Sequence, residues 1–235
     1  MKDLKHLIYF ENLLDSANNE LVQQAKDEGM HPIAYTCYHM PEVVLNVDNC
    51  FSVRLRAPKT GSFDIASYYM SNYTCEYCRA LVERAIEGGM ENIELVAAPD
   101  MPNKKMFVTH CDIPYKVKDY TLKHYVKQIR NRFLNVLAET YGVDTSDKAL
   151  RKAVKEHNEV CKIISEIAEM RKLDNPIITG YEFHILNLVS YTCPKALILP
   201  YLRETLAELK KRKPDAKNPY RARVAIVGSE IDDPS

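Results

Sequence analysis

Three cysteines lie near the predicted starts of two helices, where a thiolate is favoured. Cys75 and Cys78 are separated by two residues and come just before, or on the first turn of, a predicted amphipathic helix. Cys37 lies upstream, where a short predicted strand ends and a new helix begins at Pro41. A helix start offers unpaired N–H groups and the positive end of the helix dipole, which favour a charged thiolate. Two thiolates presented from two strand-to-helix turns indicate a metal or iron–sulfur site.

The same cysteines have other interpretations. A free cysteine often behaves as a small buried apolar residue. Cys75 and Cys78 could also be half of a zinc site or a thioredoxin-type redox pair. A zinc site calls for a second close pair, but the remaining cysteines are scattered: Cys50, Cys111, Cys161 and Cys193. Of these, the last three are interpreted as structural or surface-lining residues.

Two ionisable residues, His39 and Glu42, flank the Cys37 turn. Each is a candidate acid–base group or a group that tunes a nearby cluster. The alternative is an exposed helix start, where the dipole favours a carboxylate. The segment 180–184 either lines a pocket or simply begins a helix. The sequence contains neither of the glycine-rich phosphate loops, GxGxxG and GxxxxGK[ST], which disfavours direct nucleotide binding.

The composition is that of an ordinary soluble globular protein. The chain has 235 residues, of which 46% are hydrophobic and 27% charged, enough for one large domain or two small ones. Lys+Arg and Asp+Glu both number 32, so no basic surplus favours a nucleic-acid partner. No run approaches the roughly 20 apolar residues of a membrane helix, and the N-terminus lacks a signal-peptide pattern. We therefore expect a cytoplasmic protein without a membrane partner, whose cysteines are not a disulfide framework.

The apolar patterning predicts strands that alternate with helices in the first half of the chain and long helices thereafter. Strands are predicted over 32–37, 51–56 (half exposed), 93–98 and 105–111, and helices over 3–28, 41–48, 64–70, about 76–88, 120–141, 147–172, 178–191 and 195–212. On the helix after Cys75, Ala85 is placed on the apolar side and Glu83 on the wet side. The alternation argues for an α/β fold, a Rossmann-like parallel sheet flanked by helices.

The segment 223–229 reads as a buried parallel strand that enters a tight turn. Such a strand normally needs neighbours and a following helix, but only six residues follow it. We therefore expect the front portion of something longer. The predicted organisation is an N-terminal helix and Rossmann-like domain with the cysteine motifs (1–118), a helical segment (119–213), and a linker with the first strand of a truncated second α/β half (214–235).

An ordered set of motifs resembles the 2-hydroxyacyl-CoA dehydratase/benzoyl-CoA reductase family. Cys37 stands a few residues before Pro41 and Glu42, and a strand with a Val-Arg-hydrophobic pattern follows at 53–55. This order resembles the opening of the family's subunits.

A second motif of the same family resembles the segment that begins at Cys75. There a cysteine is followed, after three residues, by a basic and a small residue, here Arg79 and Ala80. On this match Cys75 is the family's second cysteine and Cys78 is additional. Further similar segments follow in the expected order at 112–114, 141–172, 178–182 and 224–230.

The resemblance implies a subunit whose cysteines hold a [4Fe–4S] cluster between two α/β halves. Cys37 and Cys75 would be two ligands, with Cys78 an adjacent metal candidate, and the third ligand would lie beyond Ser235. The implied partners are a homologous second subunit, an ATP-dependent iron–sulfur activator and an acyl-CoA substrate.

The implied reaction is the loss of water from an (R)-2-hydroxyacyl-CoA through a ketyl radical. His39 and Glu42 are the candidate catalytic residues. Two alternatives stay open: a benzoyl-CoA reductase-type subunit, and a non-catalytic α/β scaffold in which Cys75 and Cys78 are structural or bind zinc.

Overall fold

Two parallel strands, β1 (His31–Tyr35) and β2 (Cys50–Arg54), pair side by side. The computed structural model of the chain describes residues 3–58, 60–87, 109–215, 220 and 222–226. Tyr35 pairs with Arg54, so both strands end at the same edge. The predicted strand 93–98 lies outside the described residues, as does most of 105–111, whose described end forms no strand.

Both faces of the strand pair are covered by helices. Phe51 and Val53 of β2 pack against α2 (Glu20–Asp27), and Cys50 packs with α6 (Asn135–Tyr141) on the opposite face. Because successive side chains of a strand point to opposite faces, β2 is buried along its whole length. The prediction that this strand is half exposed is therefore wrong.

The predicted first helix, 3–28, is interrupted and forms α1 (Leu7–Asp15) and α2. Asn19 begins α2 because its side-chain oxygen accepts hydrogen bonds from the N–H groups of Leu21 and Val22, both at 3.1 Å. The apolar repeat continues across the interruption, so periodicity alone predicts one helix. Helix α2 ends before Gly29, whose φ of 84° suits a residue without a side chain.

The later helices follow the sequence prediction closely. They are α3 (Ala66–Tyr69), α4 (Glu76–Ile86), α5 (Asp119–Ile129), α6, α7 (Asp147–Met170), α8 (Gly180–Thr192) and α9 (Lys195–Leu209). A π-helical turn, Arg130–Leu134, joins α5 to α6, and a 3-10 turn, Glu42–Asn46, replaces the predicted helix 41–48.

Helix α4 buries a carboxylate that the sequence places on its wet side. Oε2 of Glu83 accepts a hydrogen bond from the N–H of Ala66 at 2.6 Å, and Oε1 accepts one from the N–H of Ile65 at 3.2 Å. These N–H groups stand at the start of α3, where no acceptor exists within the helix. Glu83 therefore caps α3, and the predicted wet side is corrected; Ala85, predicted on the apolar side, is exposed.

The largest apolar core joins α1 to the last three long helices, α7, α8 and α9. On the surface of this bundle, the hydroxyl of Tyr181 donates a hydrogen bond to Glu11 at 2.7 Å. The α/β class is confirmed by the parallel strand pair and its flanking helices. The domain boundaries at 118 and 213 stay a prediction.

The segment predicted as a buried strand at 223–229 differs from that expectation in its described part. Residues 222–226 form no strand, and Val224 and Ile226 are 81% and 77% exposed. A strand needs a neighbouring strand to satisfy its backbone groups, and among the described residues no strand pairs with this segment. Residues 227–229 lie outside the described ranges. Within the described ranges, no helix is long and apolar enough to cross a membrane.

Candidate functional site

The segments that carry Cys37 and Cys75 meet at the edge where β1 and β2 end. The hydroxyl of Tyr77, two residues after Cys75, lies 2.8 Å from the carbonyl oxygen of Thr36 and 2.5 Å from that of Leu55. Thr36 directly follows β1 and Leu55 directly follows β2. One donated hydroxyl proton, shared between two carbonyls, therefore holds the start of α4 against both strand ends, one residue from Cys37.

A buried guanidinium lies between two tyrosine rings from these same segments. Cζ of Arg54 is 4.0 Å from the centroid of the Tyr38 ring and 4.6 Å from that of Tyr77. The side chain of Arg54 is only 1% exposed. Cation–π contact of this kind is strongest where water is excluded. We refer to Cys37, Cys75 and Arg54 as the strand-end site.

The thiols of the strand-end site differ in their surroundings. Cys75 precedes the first turn of α4 and is exposed, and Cys37 is partly exposed. Cys78 packs against the apolar cluster around Tyr77 and Leu81, which favours a structural role. Among the described residues, no three His, Cys, Asp or Glu side chains converge on a metal position. Cys37 and Cys75 are accessible thiols, the type of donor that holds iron–sulfur clusters in proteins.

Glu42 is the centre of a separate buried network. Its Oε2 accepts a hydrogen bond from the hydroxyl of Tyr35 at 2.5 Å, and its Oε1 lies 2.9 Å from Nζ of Lys195 and 3.1 Å from Nδ1 of His157. The two contacts at Oε1 are electrostatic, since neither has hydrogen-bond geometry.

The charge of Glu42 is fixed by these neighbours. Burial alone would raise its pKa, but His157, Lys195 and Tyr35 outweigh burial and lower the pKa to about 2. Burial, together with the adjacent carboxylate, raises the pKa of Tyr35, so its hydroxyl remains a donor. Glu42 is therefore ionised at neutral pH and is a weak base.

His157 contacts a different acid with each ring nitrogen. Nδ1 faces Glu42, and Nε2 lies 3.3 Å from Sγ of Cys161, four residues further along α7 and on the same face. The contacts with Cys161 and then Glu42 raise the pKa of His157 to about 9, although burial opposes them. The contact with His157 lowers the pKa of Cys161 against the effect of burial. The contact therefore stabilises the charged forms of both groups, the imidazolium of His157 and the thiolate of Cys161.

This network borders an open cleft of about 630 Å³. The cleft is lined by Tyr38, Met40, Pro41, Glu42, Val43, His157, Cys161, His184, Asn187 and Tyr191. The Tyr38 ring meets Tyr191 edge to face, with 4.9 Å between centroids, and its face lies on Arg54. The cleft and the strand-end site therefore share one aromatic side chain.

The structure separates the two ionisable residues predicted near Cys37. Glu42 lies in the network beside the cleft, whereas His39 is exposed and does not line it. The two alternative roles predicted for the segment 180–184 are both present. Glu182 and Thr179 form a capping box at the start of α8, and His184 lines the cleft.

Sequence reasoning missed the partners of Glu42, namely His157, Cys161 and Lys195. The four-residue spacing of histidine and cysteine on an amphipathic helix was a visible signal. The contact between Glu42 and His157 has no such signal, because the two residues are far apart in the chain.

Comparison with known proteins identifies the family. The family model for the 2-hydroxyglutaryl-CoA dehydratase D-component matches residues 37–235. A search of curated proteins found no match. The matched range begins at Cys37 and includes the strand-end site and the helices that line the cleft. The chain therefore belongs to the 2-hydroxyglutaryl-CoA dehydratase D-component family.

Proposed function

We propose that the chain is a subunit of an activator-dependent 2-hydroxyacyl-CoA dehydratase that removes water from an (R)-2-hydroxyacyl-CoA by the radical route implied by the family resemblance. The family match supports the dehydratase class. The observation that carries the site is the Tyr77 hydroxyl, which brings both cysteine motifs to one edge of the strand pair. The proposal includes a homologous second subunit, an ATP-dependent iron–sulfur activator and a cytoplasmic location.

Within this proposal, Cys37 and Cys75 are two ligands of a [4Fe–4S] cluster. When bound, such a cluster supplies low-potential one-electron chemistry to a thioester. Arg54 contributes a buried positive charge that compensates the negative charge of thiolate ligands, and its two tyrosine partners fix its position. Cys78, packed in the apolar cluster, supports the local packing of α4 and is not a ligand.

The cleft is the proposed position of the acyl-thioester part of the substrate. It adjoins the strand-end site at Tyr38, and its walls combine apolar and aromatic side chains with a few polar groups, as small-molecule sites do. Burial of the ring faces of Tyr38 and Tyr191 would exclude water from the acyl chain, while Asn187 offers a side-chain amide to the carbonyl oxygen.

The test is the iron and acid-labile sulfide content of anaerobically purified protein, with an electron paramagnetic resonance spectrum after reduction. The chain is purified alone and with its co-expressed second subunit. We expect Cys37→Ser and Cys75→Ser each to lose most of the iron, whereas the matched controls Cys78→Ser and Cys161→Ser retain it.

Two results would reject the proposal. Unchanged iron in both ligand variants would show that these thiols hold no cluster. Zinc without sulfide in every preparation would favour the alternative of a non-catalytic scaffold with a metal-binding CxxC.

A further inference from the structure

A line of three ionisable side chains beside the cleft has no part in the proposed cluster chemistry. Glu42, from the turn after β1, faces Nδ1 of His157, and Nε2 of the same ring faces Sγ of Cys161. This order of carboxylate, imidazole and thiol is the arrangement in which a base activates a nucleophile and a third group orients the base. Cys161 is exposed at the wall of the cleft, so a bound molecule can reach its sulfur.

The geometry disfavours a metal site at these residues. Each ring nitrogen of His157 is already directed at a different acid, and the two nitrogens of an imidazole point away from each other. A single ion therefore cannot bind Glu42, His157 and Cys161 together. No metal-binding group of three such side chains occurs in the described ranges, which agrees with this geometry.

The two ring nitrogens of His157 face different acidic partners, which favours one orientation of the imidazole. Glu42, which faces it, is itself fixed by the Tyr35 hydroxyl of β1 and by Lys195 of α9. Nζ of Lys195 also donates to the backbone carbonyl of Ser190. The other titratable groups that line the cleft are His184 and Tyr191 of α8 and Tyr38 from the segment after β1. A base whose orienting carboxylate is buried and doubly held is preorganised for proton transfer.

We propose that Cys161 is a nucleophile that accepts the acyl group of a CoA thioester bound in the cleft, with His157 as its base and Glu42 as the residue that positions His157. The choice of a CoA thioester rests on the proposed function, whereas the arrangement of Glu42, His157 and Cys161 does not.

The step is an exchange between two thioesters. Nε2 of His157 takes the proton of the Cys161 thiol. The resulting thiolate attacks the carbonyl carbon, a new C–S bond forms, and the C–S bond to CoA breaks. The acyl group remains on Cys161, and CoA leaves as a thiol with the proton that His157 holds at Nε2. The exchange involves no oxidation or reduction, and one thiolate replaces another of similar basicity, so it proceeds without a further reactant.

The experiment uses butyryl-CoA, which lacks a 2-hydroxyl group and so cannot be dehydrated. The protein is incubated anaerobically with it, the acylated peptide is located by mass spectrometry, and released CoA is measured by chromatography. We expect one butyryl group per chain, on Cys161, with an equal amount of CoA. Cys161→Ser should abolish both, and Cys111→Ser, which alters a thiol outside the cleft, should change neither.

A pH profile separates activation by His157 from a structural role. General-base assistance of this kind contributes about 100-fold or more, so His157→Asn should slow acylation by about that factor at pH 7. The loss should shrink as pH rises through the ordinary pKa of a cysteine thiol, because hydroxide then forms the thiolate. Circular dichroism of each variant shows that it is folded.

Acylation elsewhere, absence of acylation, or an unchanged rate in a folded His157→Asn variant would each overturn this inference. The iron content of Cys161→Ser is measured on the same sample. Retained iron with no acylation in the wild-type protein rejects the nucleophile and leaves the cluster proposal standing. Acylation of Cys161 in protein that never binds iron rejects the cluster proposal and supports the nucleophile.

Discussion

The carboxylate of Glu42 and the ammonium of Lys195 form an ion pair of 2.9 Å in which the two side chains are only 7% and 4% exposed. The pair joins the turn after β1 to the first residue of α9, so it links the strand pair to the helical bundle. Each buried charge would be costly alone, because the interior does not replace lost hydration. The stability of this junction therefore depends on both partners.

The first prediction concerns the removal of one of these charges. Glu42→Gln leaves the ammonium of Lys195 buried without its carboxylate, and breaking a buried pair in this way costs about 3–5 kcal/mol. Urea unfolding at pH 7 measures the loss. The double variant Glu42→Gln/Lys195→Met should recover much of it, since no unpaired charge then remains.

Acid unfolding of the wild-type chain and of Glu42→Gln tests the same ion pair by its pH dependence. The pKa of Glu42 is lowered to about 2 in the folded chain, so its stabilising effect is complete above its ordinary pKa and is lost as pH falls toward 2. Glu42→Gln should flatten this part of the stability curve. A double variant as unstable as the single one would show that the pair is not the source of the loss.

The second prediction concerns alkaline pH. The pKa of His157 is raised to about 9, so the stability it contributes is complete below its ordinary pKa of 6.5 and is lost as pH rises through about 9. Titration of the imidazole ring protons by nuclear magnetic resonance measures the pKa, and His157→Asn assigns the signal. Cys161→Ala removes the largest cause of the shift and should move the midpoint down. A midpoint that is the same with and without Cys161 would contradict the contact.

The third prediction concerns the shape of the buried cation. Arg54→Lys keeps the charge but removes the planar group that lies between Tyr38 and Tyr77, and a desolvated cation–π contact contributes about 2 kcal/mol. We expect the free energy of unfolding in urea to fall by at least that amount. We also expect the variant to bind less iron, although all its cysteines are unchanged. Arg84→Lys, whose guanidinium donates a hydrogen bond to the carbonyl oxygen of Pro58, is the matched control and should lose less.

The fourth prediction concerns the cap of α3. Glu83→Ala leaves the N–H groups of Ile65 and Ala66 without their acceptor, and each unsatisfied buried group costs about 1–3 kcal/mol. Hydrogen exchange at these two amides should accelerate. Glu87→Ala, an exposed carboxylate at the end of the same helix, should change neither stability nor exchange. Equal effects in both variants would refute the cap.

Features of the fold that depend on residues close together in the chain are predictable from the sequence. The long helices and both described strands follow from apolar periodicity, and the end of α6 follows from Gly142, whose φ is 68°. The strand-to-helix positions of Cys37 and Cys75 are also local properties. The interruption at Asn19 was missed, because a side-chain cap competes with an apolar repeat that continues across it.

The remainder depends on segments far apart in the chain. The helical pattern predicts an exposed Glu83, whereas in the structure the start of α3 packs against this side chain and buries it. From the sequence, Glu42 is explained by a helix dipole alone. In the structure it contacts Lys195 of α9 and His157 of α7, which are distant in the chain. Nothing in the spacing of these residues indicates such an encounter, since it is set by the packing of α7 and α9 against the turn after β1.

The core shared by α1 with α8 and α9 also sets an order of events during synthesis. Within this chain, helix α1 is synthesised before α8 and α9, and its apolar face packs against segments made nearly 200 residues later. At about 5–20 residues per second, Phe10 and Leu13 wait roughly 10–40 seconds for their partners. Through that interval the apolar face of α1 lacks the partners that cover it in the folded chain, and transiently exposed apolar surface of this kind is prone to aggregation.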